Sequence, residues 1–412
     1  MSGFNKINGS LCADQVPLTD IAKDYGTPAY VYSASLIKDN YSKYSSCIRR
    51  EDKLCFSVKS NSNTHILEIL AKIGSGFDVV SGGELKRSLL AGGDPKNIVF
   101  SGVGKSYQDI ELALKNNIFS LNVESESELE RVIEIAKKNG TKANCSIRVN
   151  PNISSDAHPY IDTGQQTSKF GLSKDICIGV VEKALDSGVI NLIGLASHIG
   201  SQIFNKHLIL QSLEKLIDIA KEITKKGQLI QYLNIGGGLG ISYKEEQQIR
   251  PSDYLIEAIK KLESLDINLV LEPGRSIVGN AGMLLTRVEY LKETQTDNFA
   301  ILDSGMNDLA RPALYEAWHN ISTIEENSSE PKKYILAGPV CESADILGSD
   351  RLLSLEENSI LAIHDTGAYG YVMASNYNSR LRPPEILVED CEVKLIRRRE
   401  SFEDIIHQES NL

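Results

Sequence analysis

Lys59 stands in Cys55-Phe-Ser-Val-Lys-Ser-Asn-Ser-Asn63, where a short β-prone run ends and a helix-like segment begins near Asn63. An amine at the C-terminal end of a strand is placed to react with a carbonyl. Such a lysine needs a ring-stacking group, a carboxylate and a cradle for an anion. The chain supplies each: His198 in His-Ile-Gly-Ser-Gln202, Glu272 in Glu-Pro-Gly-Arg-Ser276, and three consecutive glycines, Gly236, Gly237 and Gly238, after another β-prone run. A lone lysine closing a strand is ordinarily solvated, and a lone His ordinarily a structural hydrogen-bonder. Their joint occurrence is what points to chemistry.

Gly236-Gly-Gly-Leu-Gly240 does not fit G-x-G-x-x-G, because Ile241 stands where the third glycine belongs. A dinucleotide site is therefore disfavoured. Backbone N–H groups without Cβ atoms beside them can instead wrap a single phosphate. A tight turn would account for one glycine but not for three in succession.

The elements that must position these groups alternate regularly. Residues 55–59, 77–81, 98–101, 119–123, 144–149, 195–199, 232–235 and 269–272 read as short strands. Amphipathic stretches such as 66–73, 85–91, 126–138, 178–185, 208–224 and 254–265 read as helices between them. Strand then helix, eight times, predicts an α/β fold, a (β/α)8 barrel rather than an open sheet. In that fold chemistry gathers at the C-terminal ends of the strands. Lys59 ends the first, Arg148 lies near the end of the fifth, His198 of the sixth, the glycine run follows the seventh, and Glu272 and Arg275 close the eighth. After Gly282 the β-prone runs 284–290, 299–302, 334–337, 359–363 and 386–388 have little helical periodicity between them, which predicts a mostly β second domain over 283–412. Glu325-Glu-Asn-Ser-Ser-Glu-Pro-Lys-Lys333 reads as an exposed loop, and Arg397-Arg-Arg-Glu400 as a solvated strand edge.

At 412 residues and 41% hydrophobic, the chain can bury two cores. Its 44 basic against 55 acidic residues give a formal charge of −11, which argues against nucleic acid or an anionic membrane as partner. No apolar run approaches the ~20 residues of a membrane span, and the polar start predicts no signal peptide, so a cytoplasmic location is expected. Seven scattered cysteines without a C-x-x-C pair fit reduced thiols. The seven histidines have no ligand-like spacing, so no metal is expected.

The sequence resembles the diaminopimelate decarboxylases, within the pyridoxal-phosphate enzymes of the alanine-racemase-like fold. Phe56-Ser-Val-Lys-Ser-Asn61, Gly76-Phe-Asp-Val-Val-Ser-Gly-Gly-Glu-Leu85, His198-Ile-Gly-Ser-Gln202, Asn234-Ile-Gly-Gly-Gly-Leu-Gly-Ile241, Glu272-Pro-Gly-Arg-Ser276, Gly338-Pro-Val-Cys-Glu-Ser343 and Gly367-Ala-Tyr-Gly370 carry the resemblance, in family order over nearly the whole length. It implies that residues 1–33 join the β domain, so that a barrel over 34–282 is inserted between its two pieces. It implies pyridoxal 5'-phosphate as cofactor, with a Schiff base on Lys59, His198 stacked on the ring, Asp78 near His198 and the imine, Arg148 near the phenolic oxygen and Glu272 facing the pyridine nitrogen. The phosphate would be held by Gly236, Gly237, Gly238, Ser201, Tyr369 and the backbone around Gly274 and Arg275.

The resemblance further implies decarboxylation of meso-2,6-diaminopimelate to L-lysine and CO2, the last step of lysine biosynthesis. Cys341 would be a proton donor or positioning group reaching in, with Glu342, from the neighbouring subunit of a homodimer with shared sites. Arg275, Arg311 and Tyr315 match positions for the distal carboxylate, Glu342 matches the distal ammonium partner, and Tyr369 also borders the substrate. Ala310 departs from the family's usual larger apolar residue. A decarboxylase for another amino acid would lack the arginine pair. A racemase on the same barrel would need a second base, for which no motif is present. An inert binding relative should have lost Lys59, Cys341 or the glycine loop.

Overall fold

The computed structural model describes residues 3–153 and 169–409. Among these, one compact unit comprises Asn40–Ile241 with Gln247–Ser276; the other comprises the flanking segments up to Asp39 and from Ile277, together with Ser242–Glu246.

The first unit is a closed barrel of eight parallel strands: β1 (Lys53–Ser57), β2 (Gly76–Val79), β3 (Ile98–Phe100), β4 (Ser120–Val123), β5 (Ala143–Arg148), β6 (Ile190–Ala196), β7 (Tyr232–Asn234) and β8 (Asn268–Leu271). They pair in chain order, and Val270 and Leu271 of β8 close on Lys53 and Leu54 of β1. Every residue of β2 and β4 is buried, as expected for parallel strands covered on both faces. Cys55, Val99 and Val270 form a buried apolar cluster with Phe119 and Tyr232 packed against it, whose rings meet edge to face at 4.9 Å.

Helices follow the strands at Thr64–Lys72, Gly82–Leu90, Tyr107–Lys115, Glu126–Asn139, Lys174–Asp186, Lys206–Lys225, Ser252–Glu263 and, for one turn, Arg275–Val278. Their starts are written into the sequence. The side chains of Asn63, Ser81, Ser106, Ser125 and Asn205 each accept from a first-turn N–H. Gly140, left-handed at φ +61°, ends Glu126–Asn139.

Two sequence expectations need correction here. The sixth strand runs over Ile190–Ala196, not 195–199. Gly194 lies inside it, beside a bulge and paired to both neighbouring strands, where a Cβ would come within 2.6 Å of the Tyr232 carbonyl of β7. Lys59 lies two residues beyond its strand, in the 3-10 turn Val58–Ser60.

The second unit holds a small three-stranded sheet, Phe4–Ile7, Ser10–Ala13 and Val16–Pro17, and a nine-stranded sheet. The main path of the latter runs Ile346–Leu353, Lys332–Ala337, Asn298–Leu302, Gly282–Glu293, Ala29–Ser33, Glu385–Glu389 and Glu392–Arg397. Ala29–Ser33 lies between Gly282–Glu293, antiparallel, and Glu385–Glu389, parallel, so the start of the chain is built into this sheet. Val31, Met283, Leu285, Ala362, Ile386 and Val388 form much of its core. The basic run leaves the edge strand Glu392–Arg397 and Arg398 is exposed, as expected, but its neighbours are engaged. Arg397 pairs with buried Glu385 and lies 4.8 Å over the Tyr371 ring, and Arg399 donates to the Pro28 carbonyl at 2.9 Å.

Candidate active site

Lys59, Arg148, His198 and Glu272 line one cavity of about 400 Å³ at the C-terminal ends of the barrel strands, with Ser101, Gly102, Asn122, Phe170 and Ser197. Lys59 Nζ is 2.8 Å from Asp78 Oδ2, which also accepts from Ser57 Oγ at 2.7 Å. Asp78 is wholly buried at the end of β2, and its Oδ1 is a buried acceptor with no partner among the described residues. A buried unpaired carboxylate oxygen beside a lysine is costly unless something further occupies the site.

Glu272 follows β8 and is buried. Asn234 Nδ2 donates to its Oε1 at 2.6 Å and Asn122 Nδ2 at 3.5 Å. Burial first, and then the negative charge of Asp78, push its carboxyl up to about 7, against the opposing pull of Lys59, the Asn234 hydrogen bond and Arg148. A cation placed against Glu272 would return it to the ionised form. His198 is held well below the usual imidazole range by burial, then by the positive charges of Lys59 and Arg148, so its ring is neutral at neutral pH. The Gly237 N–H donates to its Nδ1 at 3.3 Å. Arg148 is fixed by an ion pair with Glu124 at 2.8 Å, and its guanidinium lies 4.8 Å over the Phe170 ring.

The glycine run answers to packing at all three positions. A Cβ on Gly236 would lie 2.6 Å from His198 Nδ1, on Gly237 2.1 Å from the Glu272 carbonyl, and on Gly238 2.3 Å from the Gly200 carbonyl; Gly236 and Gly238 are also left-handed. Close packing of neighbouring loops thus calls for glycine at each of the three positions, a reason separate from any turn. Next to this run, Ser201 Oγ accepts from Arg275 Nε at 3.3 Å and Nη2 at 3.1 Å. Gly274 packs on Ser57 and Ser60.

The remaining candidates belong to the second unit. Arg311 and Tyr315 bound one short helix, Arg311–Tyr315. Arg311 is buried, 2.8 Å from His319 Nε2 and 4.5 Å over the Tyr243 ring. His319 Nδ1 is 2.8 Å from the His364 carbonyl, which can only accept, so Nδ1 carries the proton and Nε2 accepts from Arg311. Cys341 is an exposed free thiol whose backbone N–H donates to Asn378 Oδ1 at 3.1 Å. Exposed Glu342 accepts from the Tyr377 hydroxyl. Tyr369 is left-handed at φ +56° between Gly367 and Gly370, a conformation that tight surroundings must impose on a tyrosine.

Sequence reasoning passed over Asn122, Glu124, Phe170, Asn234 and Tyr243. Asn234 had a usable signal, since it directly precedes the glycine run, and its Oδ1 accepts from the Gly236 N–H at 2.8 Å. Phe170 and Tyr243 had none.

Residues 34–279 match the family of pyridoxal-dependent decarboxylases, in its pyridoxal binding domain. The chain is 45% identical over its whole length, and the whole of the relative, to diaminopimelate decarboxylase of Pseudomonas aeruginosa. The chain belongs to the diaminopimelate decarboxylases. Members with solved structures match it closely. The diaminopimelate decarboxylase of Helicobacter pylori complexed with L-lysine is 41% identical, with TM-score 0.92 over 95% of this chain and 99% of that one. That of M. jannaschii in co-complex with L-lysine is 38% identical, with TM-score 0.93 over 98% and 97%. Pyridoxal phosphate is the cofactor of this family's pyridoxal binding domain, and the residues present suit it. The cavity has the size of an ordinary ligand pocket, carries an amine, and leaves one buried acid oxygen unsatisfied beside that amine. No helix among the described residues is long and apolar enough to cross a membrane.

Proposed function

We propose that this chain removes the carboxylate at one end of meso-diaminopimelate, releasing CO2 and leaving L-lysine, and that Lys59, Asp78, His198 and Glu272 are the residues around which the reaction runs. The observation that carries the reading is a barrel cavity lined by both Lys59 and Glu272, with the Lys59 amine against a half-satisfied Asp78, in a chain of this family. Pyridoxal phosphate, when bound, supplies an aldehyde for condensation with amines and a ring that withdraws the electron pair of the bond being broken.

Lys59 offers the amine for attachment and, once displaced by the substrate's own amine, a group able to move a proton at Cα. Asp78 holds that amine at 2.8 Å and keeps one oxygen for a second donor. Glu272 supplies negative charge to a protonated ring nitrogen, which strengthens electron withdrawal. The neutral His198 ring gives a flat face for stacking without repelling a cation. Ser201, Arg275, Tyr369 and the backbone of Gly236, Gly237, Gly238 and Gly274 are assigned to the phosphate, and Arg148 to the phenolic oxygen.

Arg311, Arg275 and Tyr315 are assigned to the distal carboxylate and Glu342 to the distal ammonium. A cation for one group and an anion for the other is what a second amino-acid end requires. Cys341 is assigned as a proton donor or positioning group for the site of the neighbouring subunit in a cytoplasmic homodimer; its exposure supports that reading over a buried packing role. The test is CO2 release from meso-diaminopimelate, lysine, ornithine and arginine by protein loaded with pyridoxal phosphate. Release from diaminopimelate alone is expected. Comparable release from ornithine or arginine would reject the substrate assignment.

A further inference from the structure

Lys105 has a fully buried side chain in the loop after β3, and all three of its ammonium protons are used. Nζ lies 2.7 Å from the Gly102 carbonyl, 2.7 Å from the Asn122 carbonyl and 2.7 Å from Glu128 Oε1. Gly102 and Asn122 both line the cavity. The other oxygen of Glu128 accepts from the Glu124 N–H at 2.9 Å. Glu124 in turn accepts from the Gly102 N–H at 2.8 Å, from the Gly171 N–H at 3.3 Å and from Arg148 Nη1 at 2.8 Å. Two buried ion pairs, Lys105 with Glu128 and Glu124 with Arg148, are thereby joined through one backbone amide and end at a guanidinium in the cavity.

The molecule contains its own comparison. The turn after β2, Asp78-Val-Val-Ser-Gly-Gly-Glu-Leu85, repeats the spacing of Asn122-Val-Glu-Ser-Glu-Ser-Glu-Leu129 after β4. In both, the serine caps the helix, and the glutamate three residues on reaches back to the N–H of the residue before the serine: Glu84 to Val80 at 2.8 Å, Glu128 to Glu124 at 2.9 Å. Among the described residues Glu84 forms no ion pair with a lysine, Lys59 acting on it only at longer range, and Val80, apolar and partly exposed, stands where β4 has Glu124. Starting the helix therefore does not require the second pair. A buried ion pair is poor value as stabilisation, whereas it can hold a geometry firmly.

We propose that Lys105 and Glu128 are positioning residues for the decarboxylation, a buried pair that acts through Glu124 to hold Arg148 and the Gly102 loop against the bound cofactor. The inference rests on the assignment of Arg148 to the cofactor, and the test separates the two. Lys105→Met/Glu128→Gln removes the pair without stranding a charge, whereas isosteric Glu124→Gln keeps the shape of the hold on Arg148 but takes away its charge partner. Each is titrated with pyridoxal phosphate, alone and combined with Arg148→Met, reading the dissociation constant, the absorbance maximum of the bound form and the thermal midpoint without cofactor. The expected result is about tenfold weaker cofactor binding and a shifted maximum in each variant, with little further loss when Arg148→Met is added, since coupled residues lose their effect together. Independent, multiplying losses, or unchanged binding in both Lys105→Met/Glu128→Gln and Glu124→Gln while Arg148→Met is impaired, would overturn the positioning role and leave the Arg148 assignment standing. Unchanged binding in Arg148→Met would overturn the Arg148 assignment and the inference with it.

Discussion

Glu272 shows how far a residue's surroundings reset its chemistry. Its proton is bound more tightly in the folded chain, near 7, than in the unfolded chain, near 4.5. Its contribution to stability is therefore fully present below about pH 4.5 and is lost as pH rises through about 7. Without cofactor, the thermal midpoint should fall more between pH 5 and 8 in the wild type than in Glu272→Gln. Glu84, Asp308 and Asp365 are also pushed up to about 7 by burial, but they are common to both proteins and drop out of the difference. Equal slopes would contradict the burial account of Glu272. The sequence singled out Lys59, His198 and Glu272, and the fold brings all three to one cavity. Their supports were less legible there, because Asn122, Glu124 and Asn234 act through side-chain bonds across neighbouring strands that no local pattern records.

At the scale of elements, the glycine loop after β7 joins fold to chemistry. A methyl group on Gly237 would lie 2.1 Å from the backbone carbonyl of Glu272, which cannot yield without moving the loop that carries this carboxylate. Gly237→Ala should therefore lower the thermal midpoint and weaken pyridoxal phosphate binding together, by at least about tenfold; an alanine variant with both unchanged would remove the packing argument. The barrel strands were legible because short apolar runs recur with capped helices between them. The sixth was misplaced because β-prone residues recur from Ile190 to Ile199, on both sides of Asn191 and Gly194, so local composition does not mark where pairing starts and stops. The backbone sets that limit: the Ser197 N–H donates across to the Asn234 carbonyl at 2.8 Å, and the chain then leaves for the loop bearing His198. The helix Tyr107–Lys115 was passed over despite a full Ser106 and Asp109 capping box.

At the scale of the molecule, the start of the chain is stitched into the sheet by Ala29–Ser33, between strands that begin some 250 and 350 residues later. Composition could not have placed it, since sheet partners so distant in sequence share no local signal; only the resemblance did. The same scale holds the assembly. Shared sites predict that Lys59→Ala chains mixed with Cys341→Ala chains regain part of the activity each has lost, in the proportion in which mixed dimers form. Verified mixed dimers without recovery would count against the exchange of Cys341. The central claim, that the Lys59 amine in the barrel cavity takes the cofactor's aldehyde, is tested most directly by borohydride reduction of protein loaded with pyridoxal phosphate, followed by peptide mass mapping. The account predicts one stable adduct, on the peptide containing Lys59 and absent from Lys59→Ala. An adduct of equal yield on another lysine, with Lys59 unmodified, would contradict it.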